Sequence, residues 1–241
     1  MAFPWPFRKR RTLAETGFFR GFTDWHSHIL PGVDDGVCTM SEALEILRRY
    51  EEMGVRSVWL TPHIMEDIPN ETAFLRERFA ELRRSYSGAV ELHLAAENML
   101  DALFEERLER NDLLPIGDRG DHLLVETSYF NPPMDLHGML ERIKAKGYHP
   151  LLAHPERYVY MSDRDYRNLK TAGVKFQLNI PSLAGLYGAT VEAKAQKLLK
   201  LNTYDLIGGD VHSIGAAMAC TKAQLTRKIE LETIEIKDKR I

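Results

Sequence analysis

Seven short apolar runs alternate with stretches of helical periodicity, and this alternation restricts the chain to a parallel α/β architecture. The runs are "FTDWHSH" (22–28), "SVWLTPH" (57–63), "VELHLAAE" (90–97), "HLLVETS" (122–128), "HPLLAHPE" (149–156), "KFQLNIPS" (175–182) and "YDLIGGD" (204–210). Helices are expected between them. In the first, near 39–54, Thr39 or Ser41 can cap the start, Leu44, Ile46, Leu47 and Tyr50 form the apolar stripe, and Gly54 suits the end. Others are expected near 70–86, 99–110, 134–146, 163–172 and 190–201. Strands that alternate with single helices pair in parallel through right-handed crossovers, which leaves an open doubly wound sheet or a closed barrel. No GxGxxG or GxxxxGK[ST] follows the first run, so the usual dinucleotide and P-loop reasons for an open sheet are missing. At 241 residues, with no linker or repeat, one (β/α) domain is expected.

The polar residues that end these runs are nearly all metal-ligand types. The first run ends in His26 and His28, the second in His63, the third in Glu97, the fourth in Glu126, the fifth in His154, and the seventh in Asp210 followed by His212. In a parallel barrel the C-terminal strand ends converge on one mouth, where such folds keep their active sites. Imidazoles and carboxylates crowded there call for bound cations to offset them. His26 and His28 are two apart in a strand and are expected on one side, which Asp24 could share as a buried hydrogen-bonding neighbour. The turn "LPGVDDG" adds Asp34 and Asp35, one of which is expected to be a ligand. His93, His122, His137 and His149 are expected to be ordinary core or surface histidines, although alternation puts His93 on the side of Glu97. An imidazole and carboxylate set without thiolate favours manganese, iron, zinc or magnesium.

Composition narrows the rest. A net charge of -3 argues against a general nucleic-acid binder. Cys38 and Cys220 form neither a CxxC pair nor a CxxxxxR phosphate loop, which fits a reducing compartment and argues against a cysteinyl-phosphate enzyme. The start, "MAFPWPFRKRRTLAETG", lacks the order of a signal peptide, and no run is long enough to span a membrane, so the cytoplasm is expected. Residues 1–20 are expected to be a flexible basic and aromatic segment before a domain spanning 21–241. Phe3, Trp5, Phe7 and Arg8 to Arg11 could touch an anionic membrane surface weakly, a solvated tail being the favoured reading.

Taken together, "HSHILPGVDDG", "TPHIM", the glutamates of "LAAENMLD" and "LLVETS", "LLAHPERY" and "IGGDVHS" resemble the polymerase-and-histidinol-phosphatase (PHP) superfamily, in its branch of capsule-operon metal-dependent protein-tyrosine phosphatases. The resemblance is collinear from about residue 22 to 213. It implies a distorted (β/α)7 barrel, the PHP fold, with two or three divalent ions, manganese favoured. It also implies the ligands His26, His28, Asp35, His63, Glu97, Glu126, His154, Asp210 and His212, with Arg157 of "HPERY" on the phosphate, where a planar guanidinium suits phosphate oxygens. The implied substrate is phosphotyrosine on a bacterial tyrosine autokinase that regulates capsule or exopolysaccharide synthesis. One departure stands out. The resembled proteins commonly carry an arginine shortly after the last motif, and "DVHSIGAAMACTK" has none, so Lys222, Arg227 or another chain would have to replace it.

The expected reaction is hydrolysis of a phosphate monoester by a water that the cations activate, with Arg157 holding a non-bridging oxygen. Tyr129, Phe130, Tyr158 and Tyr187 could pack against a phosphotyrosine ring. Two other readings compete: a sugar or nucleotide phosphoesterase with the same metal centre, and a weakly active, metal-stabilised module that binds the kinase tail. The sequence leaves the oligomeric state open.

Overall fold

In a computed structural model, residues 11–224, 229, 233, 236 and 239–241 are described. In chain order these residues form α1 (Leu13–Thr16), β1 (Thr23–Ser27), α2 (Met40–Met53), β2 (Ser57–Leu60), β3 (His63–Ile64), α3 (Thr72–Ser85), β4 (Glu91–Leu94), β5 (Glu97–Met99), α4 (Ala102–Arg110), β6 (His122–Glu126), α5 (Leu136–Ala145), β7 (His149–Ala153), α6 (Asp163–Thr171), β8 (Lys175–Asn179), α7 (Ile180–Leu183), α8 (Ala189–Lys200), β9 (Leu206–Gly208) and α9 (Ile214–Lys222). Each expected strand and helix is present. The run at 175–182 ends early, because Asn179 leads into the short helix α7. Of the two candidate caps for α2, Thr39 holds the amide of Glu42, and Gly54 closes the helix at φ 78°, a conformation that costs glycine little.

All named strand pairs are parallel and form two ladders, β1-β2-β4 and β3-β5-β6-β7-β8-β9. The expected second strand is split into β2 and β3, and the third into β4 and β5. At the first break Thr61 still donates to Ser27 O, whereas Pro62, which has no N–H, accepts from Glu97, so the chain changes neighbours. The two ends of the wall meet where His28 N donates to Val211 O and Asp210 N donates to His26 O, at 2.9 and 2.8 Å. The result is the expected distorted (β/α)7 barrel in one domain.

A register shift between Asp24 and Ser27 breaks the alternation expected of the first strand. Asp24 does not share the side of His26. It reaches outward to Tyr50 on α2, while Trp25 and His26 both serve the interior, a re-aiming that a bulge provides. Inside the barrel, Trp25, Trp59, Leu124, Leu151, Ala153 and Leu206 make an apolar floor. The glycine at 208 has a steric reason: a Cβ there would stand 2.5 Å from the Cβ of His26. The larger core lies between the wall and the helices.

The expectation of a flexible segment over residues 1–20 is corrected in its second half. Thr12 caps α1 in a capping box, and Leu13, Phe18 and Phe19 are buried, with Leu13 N bonded to Ala223 O. Three aromatic rings at 18, 19 and 22 pack at 5.2–5.8 Å, so this stretch belongs to the core. Phe3, Trp5, Phe7 and Arg8 to Arg10 lie outside the described residues. No helix among the described residues is long and apolar enough to cross a membrane.

Candidate metal centre

Above the apolar floor, the strand ends bring all nine expected ligands together. They form four overlapping groups: His28, Asp35, His63 and His212; His26, His28 and Asp210; His26, Glu97 and His154; and His63, Glu97 and Glu126. Glu97 is the hub. Its Oε2 lies 3.1 Å from His26 Nε2, 3.3 Å from His28 Nε2 and 3.2 Å from His63 Nδ1, and its Oε1 lies 2.9 Å from His154 Nε2. Asp210 divides its two oxygens. Oδ1 stands 3.5–3.6 Å from His26, His28 and His212, while Oδ2 accepts from Asn179 Nδ2 at 2.7 Å, Arg157 at 3.0 Å and Tyr187 at 3.4 Å. His154 and Asp210 both adopt positive φ, 32° and 49°, although neither is glycine; such strain is concentrated at functional sites.

The donor chemistry fits divalent cations. His26 Nε2 and His28 Nε2 are 3.1 Å apart, too close for comfort if both carry protons, and both face the same carboxylate oxygens. His63 Nδ1 and Glu126 Oε1 face each other at 3.0 Å, yet they are not aligned for hydrogen bonding, and both atoms are buried without such a bond. Buried polar atoms in that state are costly unless a further group satisfies them. Four carboxylates and five imidazoles without a thiolate match a hard or borderline cation rather than copper(I).

Neighbouring side chains fix the rings. Asp34 accepts from His28 Nδ1 at 2.8 Å and from the amide of His63 at 3.0 Å, so it orients two ligands, while Asp35, 3.5–3.6 Å from His63 and His212, stands among them. Gln177 Oε1 lies 2.9 Å from His26 Nδ1 and accepts from the amide of His154 at 3.3 Å. Both contacts leave the far nitrogens of His28 and His26 toward the cluster, the usual arrangement around a metal-binding imidazole. Asp24 accepts from Tyr50 OH, the amide of Gly209 and the amide of His26, tying α2 to the ligand backbone; burial raises its pKa to about 6 despite these bonds. The signal for Gln177 and Asn179 in the sequence is a pair of amides, two apart, inside an otherwise apolar strand.

Electrostatics point the same way. Burial opposes a charge on His26, but Glu97 and Asp210 outweigh it and push its pKa up to about 9. Against their own burial, Glu97 is pulled well below the usual carboxylate range by His26 and His63, and Asp210 is held at about 2 by its surrounding imidazoles. Without a cation, His26 is therefore protonated at neutral pH, and a cation must expel that proton to use the ring. Metal uptake is expected to release protons below about pH 9, and apparent affinity to weaken as pH falls below that value. Calorimetric titrations at pH 7.5 in buffers of different ionisation enthalpy measure this; identical heats in all buffers would remove it.

Arg157 is placed by the 3-10 turn Pro155–Arg157 that follows His154. Its guanidinium lies between the rings of Tyr129 and Tyr187, 4.2 Å from each centroid. Tyr129 and Tyr187 thus hold the arginine, and Phe130 projects at 70% exposure beside them. Tyr158 is a correction: it is fully buried, its hydroxyl donates to Ala153 O at 3.0 Å, and it cannot line a substrate pocket. Lys222, in the last turn of α9, makes no ion pair with any of the nine ligands. Arg227 lies outside the described residues. Among those described, no other lysine or arginine pairs with the nine ligands. His93 stacks on Trp59 at 4.7 Å, His122 pairs with Asp121, and His137 and His149 are exposed, so none of the four joins the centre. Cys220 is buried against Gly209 O with its thiol pushed upward by burial, and it is no nucleophile.

The chain is similar to known proteins in sequence and in fold. The chain is 29% identical over 202 residues to the tyrosine-protein phosphatase YwqE of Bacillus subtilis, covering 79% of this chain and 77% of that protein. It is 27% identical over 206 residues to the tyrosine-protein phosphatase CpsB of Streptococcus pneumoniae, covering 79% and 83%. A crystal structure from work on YwqE and CpsB, described as unique metal-dependent tyrosine phosphatases, superposes with a TM-score of 0.74 over 90% of this chain and 87% of that one; at 24% identity it speaks to the fold. Residues 22–235 match the family described as "Capsular polysaccharide synthesis, CpsB/CapC", a span that holds every strand and every ligand-type residue named above, and the chain belongs to that family.

Proposed function

We propose that this protein is a metal-dependent protein-tyrosine phosphatase that hydrolyses phosphotyrosine on a bacterial tyrosine autokinase governing capsule or exopolysaccharide synthesis. The observation that carries the reading is the joining of two things at one mouth: nine ligand-type side chains in overlapping groups, and a guanidinium clamped between two tyrosine rings and bonded to one of those ligands. His26, His28, Asp35, His63, Glu97, Glu126, His154, Asp210 and His212 hold two or three divalent ions, with manganese favoured and iron, zinc or magnesium as other candidates. Such ions supply a water of lowered pKa and neutralise charge on the phosphoryl oxygens.

The chain's own residues do the rest. Glu97 belongs to two of the four groups and would help hold a cation in each. Gln177 and Asp34 set the ring orientations of His26 and His28. Arg157 gives one N–H to Asp210 and keeps others of its five for a phosphate oxygen. Its two tyrosine neighbours hold the guanidinium, and Asn179 donates to the Asp210 oxygen that Arg157 also serves.

The test is a metal titration of chelated protein with a phosphotyrosine peptide, a sugar phosphate and a nucleotide as substrates. Phosphate release is expected only after metal is restored, and fastest from the peptide. Equal or faster turnover of a non-aromatic ester would overturn the phosphotyrosine assignment, and binding of the peptide without phosphate release would favour a docking module instead.

A further inference from the structure

Isolated exposed apolar side chains are normal on a protein surface, but a cluster at the lip of a site is not. Among the described residues, five of the large exposed hydrophobic side chains sit on three loops: Phe130 and Met134 after β6, Val159 after β7, and Leu186 and Tyr187 after β8. These strands are neighbours in the wall, so their loops lie side by side over one half of the mouth. They are also tied together, because Val159 N donates to Tyr129 O at 2.9 Å and Arg157 is gripped by Tyr129 and Tyr187. The loops that carry these apolar side chains are thus joined to the turn that carries Arg157. Across the mouth, Glu66 and Asp67 after β3 are exposed and acidic.

We propose that Phe130, Met134, Val159 and Leu186 form a docking lip for apolar residues flanking the phosphorylated tyrosine of a polypeptide substrate. The inference rests on the phosphatase reading above and adds which feature of a protein substrate is read. Phosphate held at Arg157 leaves the polypeptide on either side of the ester to run over these loops. A free amino acid or sugar ester has no such flanks and gains nothing from the lip. The acidic opposite side works against a substrate whose flanks are themselves acidic, and the uncharged lip has little to offer one, so apolar flanks are the matching chemistry. Binding energy of this remote kind lowers KM for the long substrate and leaves the reacting centre untouched.

The experiment compares metal-loaded protein on free phosphotyrosine, on a phosphotyrosine peptide with leucine and valine flanks, and on the same peptide with serine flanks. The parent protein is expected to prefer the apolar-flanked peptide roughly tenfold in kcat/KM, the scale of a modest apolar contact. The triple variant Met134→Ser, Val159→Ser, Leu186→Ser should lose that preference through KM while keeping its metal content and its rate on free phosphotyrosine. Val159→Ser alone should show a smaller shift in the same direction. Equal turnover of the two peptides by the parent protein, or a parallel loss on free phosphotyrosine in the variants, overturns the docking lip. So does a triple variant that loses vesicle binding or self-association, measured by co-sedimentation and sizing, with peptide kinetics unchanged. Failure of the parent protein to hydrolyse any phosphotyrosine at any metal loading would instead overturn the phosphatase reading itself.

Discussion

Glu97→Gln is expected to cost the protein most of its bound metal and to lower phosphotyrosine turnover by roughly a thousandfold or more, since cations at such a centre contribute several kcal/mol to the transition state. The amide keeps the shape of the side chain but removes the charge that four imidazoles surround at 2.9–3.3 Å. The same change also tests the metal-free protein. His26 is held at about 9 against an ordinary 6.5, so its charged contacts stabilise the fold fully below about pH 6.5 and lose that contribution as pH rises through 9. Removing the central carboxylate of this buried set is expected to cost about 3–5 kcal/mol at pH 6, and less above pH 9. Metal analysis, steady-state kinetics and denaturant midpoints of chelated proteins at the two pH values measure these effects. A variant that keeps a full complement of metal would refute the placing of Glu97 at the centre.

Glu97 also shows why so much of the site is legible in the sequence. A parallel barrel turns a one-dimensional pattern, ligand-type residues at or just past the ends of the apolar runs, into a three-dimensional cluster, because the C-terminal strand ends converge on one mouth. Eight of the nine ligand-type residues follow from that pattern without any knowledge of which strands touch. Asp35 does not. Asp34 and Asp35 are adjacent in a turn, and periodicity says nothing about which of them faces the cluster; resemblance favours Asp35, and the backbone path through Gly36 sends Asp34 under His28 and Asp35 out to His63 and His212.

The failures share a physical cause, the breaking of local regularity. Alternation in the first strand predicts Asp24 beside His26, and the bulge sends it to Tyr50 instead. Alternation in the third puts His93 on the side of Glu97, and it does face inward, stacked on Trp59, but four residues before Glu97, so it sits at the floor and not at the mouth. Tyr158 next to Arg157 reads as pocket-lining by proximity. The 3-10 turn points the two in different directions, the tyrosine into the core and the arginine to the mouth. Residues 12–20 read as a tail because their basic neighbours dominate the composition, although "GFFRGF" holds the three rings that pack.

Arg157→Ala is expected to lower kcat by roughly a hundred- to a thousandfold with metal retained, the range found when one preorganised donor to a developing anion is removed. Metal should remain because Asn179 still donates to Asp210 Oδ2 at 2.7 Å and Asp210 Oδ1 still faces the imidazoles. Arg157→Lys is expected to recover little, since an ammonium is a point charge that cannot lie flat between two rings or serve Asp210 and a phosphate oxygen in one plane. Tyr187→Phe keeps the ring at one face of the guanidinium and gives up the hydroxyl's contacts to Asp210, at 3.4 Å, and Asn179, so it should fall far short of the alanine effect. Kinetics on free phosphotyrosine with metal analysis of each variant separates these cases. Undiminished kcat in Arg157→Ala would mean that the clamp is structural and that the cations alone hold the phosphate. The expected order, alanine and lysine low and phenylalanine near the parent, instead follows from a planar donor whose orientation the two tyrosine rings and one carboxylate determine together.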